Sequence, residues 1–170
     1  LVKAVITQNI DGLHQAAGSR RVVELHGNAG RAVCTQCGRR YPIEEALRAV
    51  REGRLPTCPV CGGLLKPDVV YFGEPLPMDA LQDAYFLAES SDLFIVVGSS
   101  LAVSPANQLP LVARARGARL IIINMGETAL DDVADLKVEA PVEKFVPMVC
   151  ALAEDMLSSR SDCRVKAGIA

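Results

Sequence analysis

The chain has 170 residues, half of them hydrophobic and 22% charged, with a net charge of −2 at neutral pH. That length and apolar content suffice for a substantial core. The mild acidity leaves no basic footprint for nucleic acid or an anionic membrane surface, and no apolar run approaches the ~20 residues of a transmembrane helix.

The chain enters at once into an apolar strand over residues 3–7, with no cap, turn or secretory leader pattern before it, an abrupt start expected of a fragment. A helical turn near 11–17 and a strand over 22–26 follow. The next stretch, 33–66, is governed by cysteines: Cys34-x-x-Cys37 and Cys58-x-x-Cys61, with twenty residues between the pairs. Each C-x-x-C lets two thiolates of a tight turn meet one ion, and two such turns complete a tetrahedral zinc site. Glycines beside the second cysteine of each pair, Gly38 and Gly62-Gly63, suit those turns. Two disulfides or four core thiols are the plainer alternative, but the paired spacing favours zinc. Four cysteines close the coordination shell, so the metal is expected to be structural. Within the module, Pro42-Ile43-Glu44-Glu45 opens a helix to about Glu52, with proline and acidic residues where a helix start favours them.

From residue 67 onward, extended and helical patterns alternate. Residues 69–72 read as extended, Met78–Glu89 as an amphipathic helix and Leu93–Val97 as an all-apolar strand. A helix over 105–116, strands over 120–124 and near 136–139, and a last helix over 142–157 complete the pattern, with 161–170 as a mobile tail. Cys150 reads as a core thiol and Cys163 as a spare one. Apolar strands alternating with helices predict an α/β fold with a Rossmann-like parallel sheet covered on both faces. The expected domains are a partial nucleotide-binding domain from 1–32 and 67–160, with the zinc module 33–66 inserted. Zinc-type thiols without a disulfide framework point to a reducing compartment, the cytoplasm.

Ligands of such sheets bind beyond the carboxyl ends of the strands. Three polar segments lie there. Gln8, Asn9 and Asp11 follow the first strand, either as a capped turn or as the wall of a crevice for a polyhydroxylated or amide-bearing ligand. Gly98, Ser99 and Ser100 follow the strand ending at Val97 and offer N–H groups and hydroxyls to phosphate or ribose; Asn124 ends the next strand. Gly-Ser turns are also ordinary punctuation. His26, beside Gly27 at a strand tip, is either a hydrogen-bonded core residue or a general base. No serine elbow or cysteine–histidine pairing supplies a nucleophile. The residues alone describe a nucleotide- or sugar-binding α/β domain with a structural zinc and a histidine that is a candidate base.

Read together, Thr7-Gln8-Asn9-Ile10-Asp11-Gly12-Leu13-His14, Glu24-Leu25-His26-Gly27, the two cysteine pairs, Lys66-Pro67-Asp68-Val69-Val70-Tyr71-Phe72-Gly73-Glu74, Gly98-Ser99-Ser100-Leu101-Ala102-Val103-Ser104-Pro105-Ala106 and Ile121-Ile122-Ile123-Asn124 resemble the sirtuin family in order and spacing over roughly residues 1–155. The resemblance implies an NAD-dependent protein lysine deacylase that yields nicotinamide, O-acyl-ADP-ribose and free lysine. It implies His26 as the base, Gln8 on the nicotinamide ribose, and Asn9 and Asp11 in the nicotinamide pocket. Gly98, Ser99 and Ser100 would meet phosphates and ribose, and Asn124 the adenine-side ribose. Val69, Phe72 and Gly73 would hold an acylated-lysine peptide, partly by β-strand addition. NAD supplies the electrophile, which accounts for the missing protein nucleophile. The family's amino-terminal Gly-Ala-Gly-type loop and Pro-Asp-Phe-Arg stretch do not occur among these residues. The first βαβ part of the fold is therefore expected to be missing, and the fragment alone to be poorly soluble, to bind NAD weakly and to be inactive. A non-catalytic zinc-ribbon scaffold and a sirtuin-like mono-ADP-ribosyltransferase are the competing readings.

Overall fold

Parallel strands and an antiparallel cysteine module both appear, in the computed structural model, in the first of two compact units that divide at Glu89 and Ser90. The structure describes residues 2–166, the last eight by their backbone only.

In the first unit β1 (Val5–Thr7) pairs in parallel with β2 (Val22–Glu24), Val5 opposite Val22. The connection carries α1 (Leu13–Ala16). Both strands are shorter than expected, and β2 stops at Glu24 because Leu25 and His26 turn the chain into β3 (Gly27–Cys34). That strand lies between β4 (Arg40–Pro42) and β5 (Leu65–Val69), antiparallel to both, and its register with β5 slips between Asn28 and Ala32. Gly27 has φ +78°, and a Cβ placed on it would lie 2.0 Å from the Asp68 carbonyl oxygen. Only glycine lets the two backbones approach so closely.

The helix expected from Pro42 is α2 (Ile43–Arg51), with Glu44 and Glu45 in its first turn and Arg48 and Arg51 in its last, the signs that its dipole favours. Its buried Ala46 packs with Ala32, Cys34, Cys58 and Leu65, flanked by Tyr41 and Ile43, to form the module's small core. Residues 69–72 are not one extended run. β5 ends at Val69, and Tyr71 to Glu74 form a turn in which the Glu74 N–H donates to the Tyr71 carbonyl at 2.9 Å. Pairing with β3 ties down 65–69, whereas Gly73, at φ +87°, bends the chain away. The last element of this unit, α3 (Met78–Glu89), has its expected bounds and buries Ala84 and Ala88.

In the second unit β6 (Leu93–Val97), β7 (Arg119–Ile123) and β8 (Leu136–Val138) form a parallel sheet in that order. The predicted helix over 105–116 divides into a 3₁₀ turn at Ala106–Gln108 and α4 (Leu109–Ala115), with Pro110 in the first turn, where its missing N–H costs nothing. Val96, Leu101, Leu120 and Ile122 form the core, flanked by Phe94, Leu130 and Ala134. The expectation of a sheet covered on both faces is corrected: Leu93, Ile95 and Val97 alternate along β6 and are exposed, whereas Val96 between them is buried in the core.

The final helix, α5 (Val142–Lys166), runs beyond the expected end at 157 into the segment read as a tail. No glycine or proline interrupts residues 148–166, and each added residue gains a backbone hydrogen bond once the helix is nucleated. Cys150 is exposed and so is not a core thiol; the Cys163 side chain and residues 167–170 lie outside the described residues. Among the described residues no helix is long and apolar enough to cross a membrane.

Candidate functional site

Because β1 and β2 are parallel, their carboxyl ends share one edge, and the segments that follow them meet there. The Leu25 N–H donates to the Thr7 carbonyl at 2.9 Å, which extends the pairing and sets His26 beside Gln8. His26 Nδ1 lies 3.0 Å from the Gln8 carbonyl oxygen. A carbonyl only accepts, so Nδ1 carries the proton and a neutral ring presents its lone pair at Nε2. Gln8, Asn9, Ile10, Asp11, His26, Val69 and Val70 line one cleft of about 470 Å³, within the size range of small-molecule sites.

The two readings of the polar segment are compatible. Asp11 Oδ1 accepts the Leu13 N–H at 2.9 Å in the turn that leads into α1, and Thr7 Oγ1 accepts the Asn9 N–H at 3.1 Å. These bonds fix the loop whose residues wall the cleft.

An ionic network that sequence reading missed lies beneath this loop. Glu24 Oε1 accepts from Gln15 Nε2 at 2.7 Å and Asn28 Nδ2 at 2.5 Å, and Oε2 accepts from the Arg31 guanidinium at 2.8 Å. Arg31 Nε donates to Asp68 Oδ2 at 3.1 Å, and Arg40 Nε to the same oxygen at 2.9 Å. Burial pushes the Glu24 carboxyl up, but the hydrogen bonds from Asn28, Arg31 and Gln15 and the charge of Arg31 outweigh it and hold the group below its usual value. Asp68 is buried inside the short strand β5, and a buried carboxylate demands a cationic partner, but that burial is visible only in the structure.

The peptide-binding candidates divide. Val69 lines the cleft and Val70 donates its N–H to the His26 carbonyl at 3.0 Å, whereas Phe72 and Gly73 sit on the exposed turn beyond it. That turn is braced by Lys66 Nζ, which donates to both Glu74 carboxylate oxygens at 2.8 and 2.6 Å and lies 5.0 Å from the Tyr71 ring centre.

The four cysteines converge. Their Sγ atoms lie within 4.8 Å of one another, Cys34 to Cys61 at 3.4 Å and Cys37 to Cys58 at 3.8 Å. A zinc ion about 2.3 Å from each of four tetrahedral sulfurs separates them by about 3.8 Å, so the residues fit the metal. Gly38 (φ +70°) and Gly62 (φ +75°) shape the two turns. The Tyr41 hydroxyl lies 3.0 Å from Cys58 Sγ; donating there lowers the Cys58 thiol to about 6 and raises the phenol to about 12. Burial of Cys34 and Cys58 within the module core makes the cluster a structural staple.

In the second unit, Gly98, Ser99 and Ser100 follow β6. The Gly98 N–H donates to the Ile123 carbonyl at 2.9 Å, and Ser99 Oγ accepts the Leu101 N–H at 3.2 Å. Leu101 holds φ +56°, a left-handed backbone rare for a non-glycine residue, while its side chain anchors the core. Asn124 follows β7 and donates Nδ2 to the Gly126 carbonyl at 3.2 Å. Lys137 Nζ also reaches that carbonyl, at 2.7 Å, and Asp131 at 2.8 and 2.9 Å. Hydrogen bonds from Lys137 and Thr128 hold the Asp131 carboxyl down to about 2.

The Sir2 family model matches residues 1–105. NAD-dependent protein deacetylase 1 of Pyrobaculum aerophilum is 55% identical over 154 residues, which are 91% of this chain and 60% of that protein. An NAD-dependent protein deacylase of Thermococcus kodakarensis is 44% identical over 164 residues, 95% of this chain and 64% of that one. A solved structure of Sir2 bound to acetylated peptide superposes with a TM-score of 0.83 at 44% identity, covering 90% of this chain and 64% of that one. The chain thus spans 60–64% of the length of these two relatives. With the motif order, the parallel strands and the four-cysteine cluster, these matches place the chain in the Sir2 family.

Proposed function

We propose that the chain carries the base, the ribose and nicotinamide contacts, the peptide segment and the structural zinc module of an NAD-dependent protein lysine deacylase. The observation that carries this reading is the convergence of His26 with Gln8, Asn9 and Asp11 in one cleft bordered by Val69. The relatives' named activity, NAD-dependent protein deacetylation or deacylation, and a solved relative's acetylated peptide accord with it.

Bound NAD would supply the electrophilic sugar carbon, to which the acyl oxygen of the acyl-lysine would bond as the bond to nicotinamide breaks. His26 Nε2 removes the proton from a ribose hydroxyl, which then takes over the acyl group. The Gln8 carbonyl accepts from Nδ1–H before and after that transfer, so it both fixes the neutral tautomer and supports the imidazolium that forms. Gln8, Asn9 and Asp11 orient the nicotinamide end, Gly98 to Ser100 meet phosphate and ribose, and Asn124 meets the adenine-side ribose. Val69, Phe72 and Gly73 hold the peptide. The zinc-type thiols accord with a reducing compartment, the cytoplasm.

The test is to incubate the intact protein with NAD and an acetyl-lysine peptide, following nicotinamide release and peptide mass. Loss of the acyl group supports the reading. Gain of ADP-ribose by the peptide makes the protein a mono-ADP-ribosyltransferase, and no reaction leaves a zinc scaffold.

A further inference from the structure

We infer that Arg31 is a positioning residue that ties the His26 turn to the peptide segment, an assignment that rests on His26 being the base. Its guanidinium spans two carboxylates, one nitrogen 2.8 Å from Glu24 Oε2 and another 3.1 Å from Asp68 Oδ2. Glu24 ends β2 two residues before His26; Asp68 precedes Val69, which lines the same cleft. Neither carboxylate is free to move, because both side chains are nearly buried, at 11% and 12% exposure.

The backbone explains why a side chain is needed there. β3 and β5 pair at Gly27 and Asn28, lose register, and resume pairing at Ala32. Arg31 lies within that irregularity, one residue before the pairing resumes, and such bulges re-aim side chains. The backbone link between the histidine turn and the peptide segment is therefore short: pairing at two residues and the Val70 N–H on the His26 carbonyl. Arg31 adds a second link, through a planar fork that can hold two acceptors at fixed angles. Lysine carries the charge as a point and cannot reproduce that geometry. Arg40 reaches Asp68 alone and leaves Glu24 untouched, so it shares the charge compensation and lacks the coupling.

Three variants test the assignment: Arg31→Met, Arg31→Lys and Arg40→Met. In the intact enzyme, Arg31→Met is expected to lower kcat/KM for acyl-peptide roughly ten- to hundredfold, the scale of a small misplacement of reacting groups. Zinc content should stay at the parent value, and Arg31→Lys should restore only part of the loss. Arg40→Met should cost less than Arg31→Met.

A second readout needs no turnover. Nitrogen-15 NMR of the imidazoles, with His26 assigned through a His14→Gln variant since the chain has only two histidines, should show the parent as one tautomer protonated at Nδ1. Arg31→Met, or Arg31→Lys if the methionine variant fails to fold, should show a tautomer mixture while Arg40→Met keeps the parent pattern. A parent-like tautomer in a folded Arg31 variant, or equal effects of Arg31→Met and Arg40→Met, overturns the coupling. If the tautomer responds as expected but no variant, nor the parent, deacylates a peptide, the coupling stands and the deacylase reading fails.

Discussion

Gly27→Ala should be the most damaging small substitution near the cleft. An alanine Cβ would sit 2.0 Å from the Asp68 carbonyl oxygen, 2.9 Å from its carbon and 3.3 Å from Val69 Cα. Carbon and oxygen ordinarily approach no closer than about 3.3 Å, so the strands must part by roughly 1.3 Å there. The Val70 N–H bond to the His26 carbonyl, now 3.0 Å, would stretch beyond hydrogen-bonding range. Leaving that pair unmade costs about 1–3 kcal/mol, and holding alanine in the left-handed region costs about 1–2 kcal/mol more. The reduced freedom of the unfolded chain returns about 0.4–1 kcal/mol, for a net loss of about 1–5 kcal/mol centred near 3 kcal/mol. Gly53→Ala is the control: φ is +71°, yet nothing lies within 4 Å of the added Cβ, so it isolates the conformational cost. Thermal unfolding followed by circular dichroism should place Gly27→Ala at least about 5 °C below the parent and clearly below Gly53→Ala. Equal midpoints for the two variants would refute the claim that β3 and β5 are pressed together at Gly27.

Removing zinc from the reduced protein with a chelator should unfold residues 33–66, since metal binding supplies that module's folding free energy; amide exchange unchanged after verified metal loss would contradict this. His26→Ala should lower deacylation by ~10²-fold or more with little change in melting temperature, because the ring borders a cleft; near-normal turnover would remove it as the base. Gly73→Val, on the exposed turn after the cleft, should raise the peptide KM without altering zinc content, as measured by steady-state kinetics and metal analysis. Asp131 has its carboxyl lowered from 3.8 to about 2, so its contribution to stability is fully present above pH 3.8 and is lost as pH falls through about 2. The melting-point gap between parent and Asp131→Asn should close over that window, and a constant gap would show that the Lys137 and Thr128 bonds together do not favour the ionised carboxylate.

What could be read from the sequence divides along physical lines. Met78–Glu89 and Leu93–Val97 were found with their bounds because their apolar spacing is local information. The cleft residues were legible for a similar reason: amide, carboxylate and imidazole groups crowd the ends of two apolar strands. β3 was missed, since Gly27-Asn28-Ala29-Gly30 carries every mark of a loop and becomes a strand only through pairing with β5. The Arg31–Asp68 contact spans 37 positions, and no local pattern announces an ion pair across that distance. The open face of β6 escaped for the opposite reason: an all-apolar run looks buried on both sides whether or not a neighbour covers it.

The bond from His26 Nδ1 to residue 8 is made to a main-chain oxygen and not to the glutamine amide. Position 8 therefore holds two separable jobs in one residue. The residue lines the cleft, while its carbonyl holds the proton on the ring whatever side chain the position carries. If His26 is the base, substitution at this position would change a side chain at the cleft and leave the ring's tautomer set, whereas a shift in the path of the loop would change both at once. Under the proposed function, point substitutions at position 8 should act on the affinity for the nicotinamide end alone, and insertions or deletions between residues 7 and 11 should also displace His26.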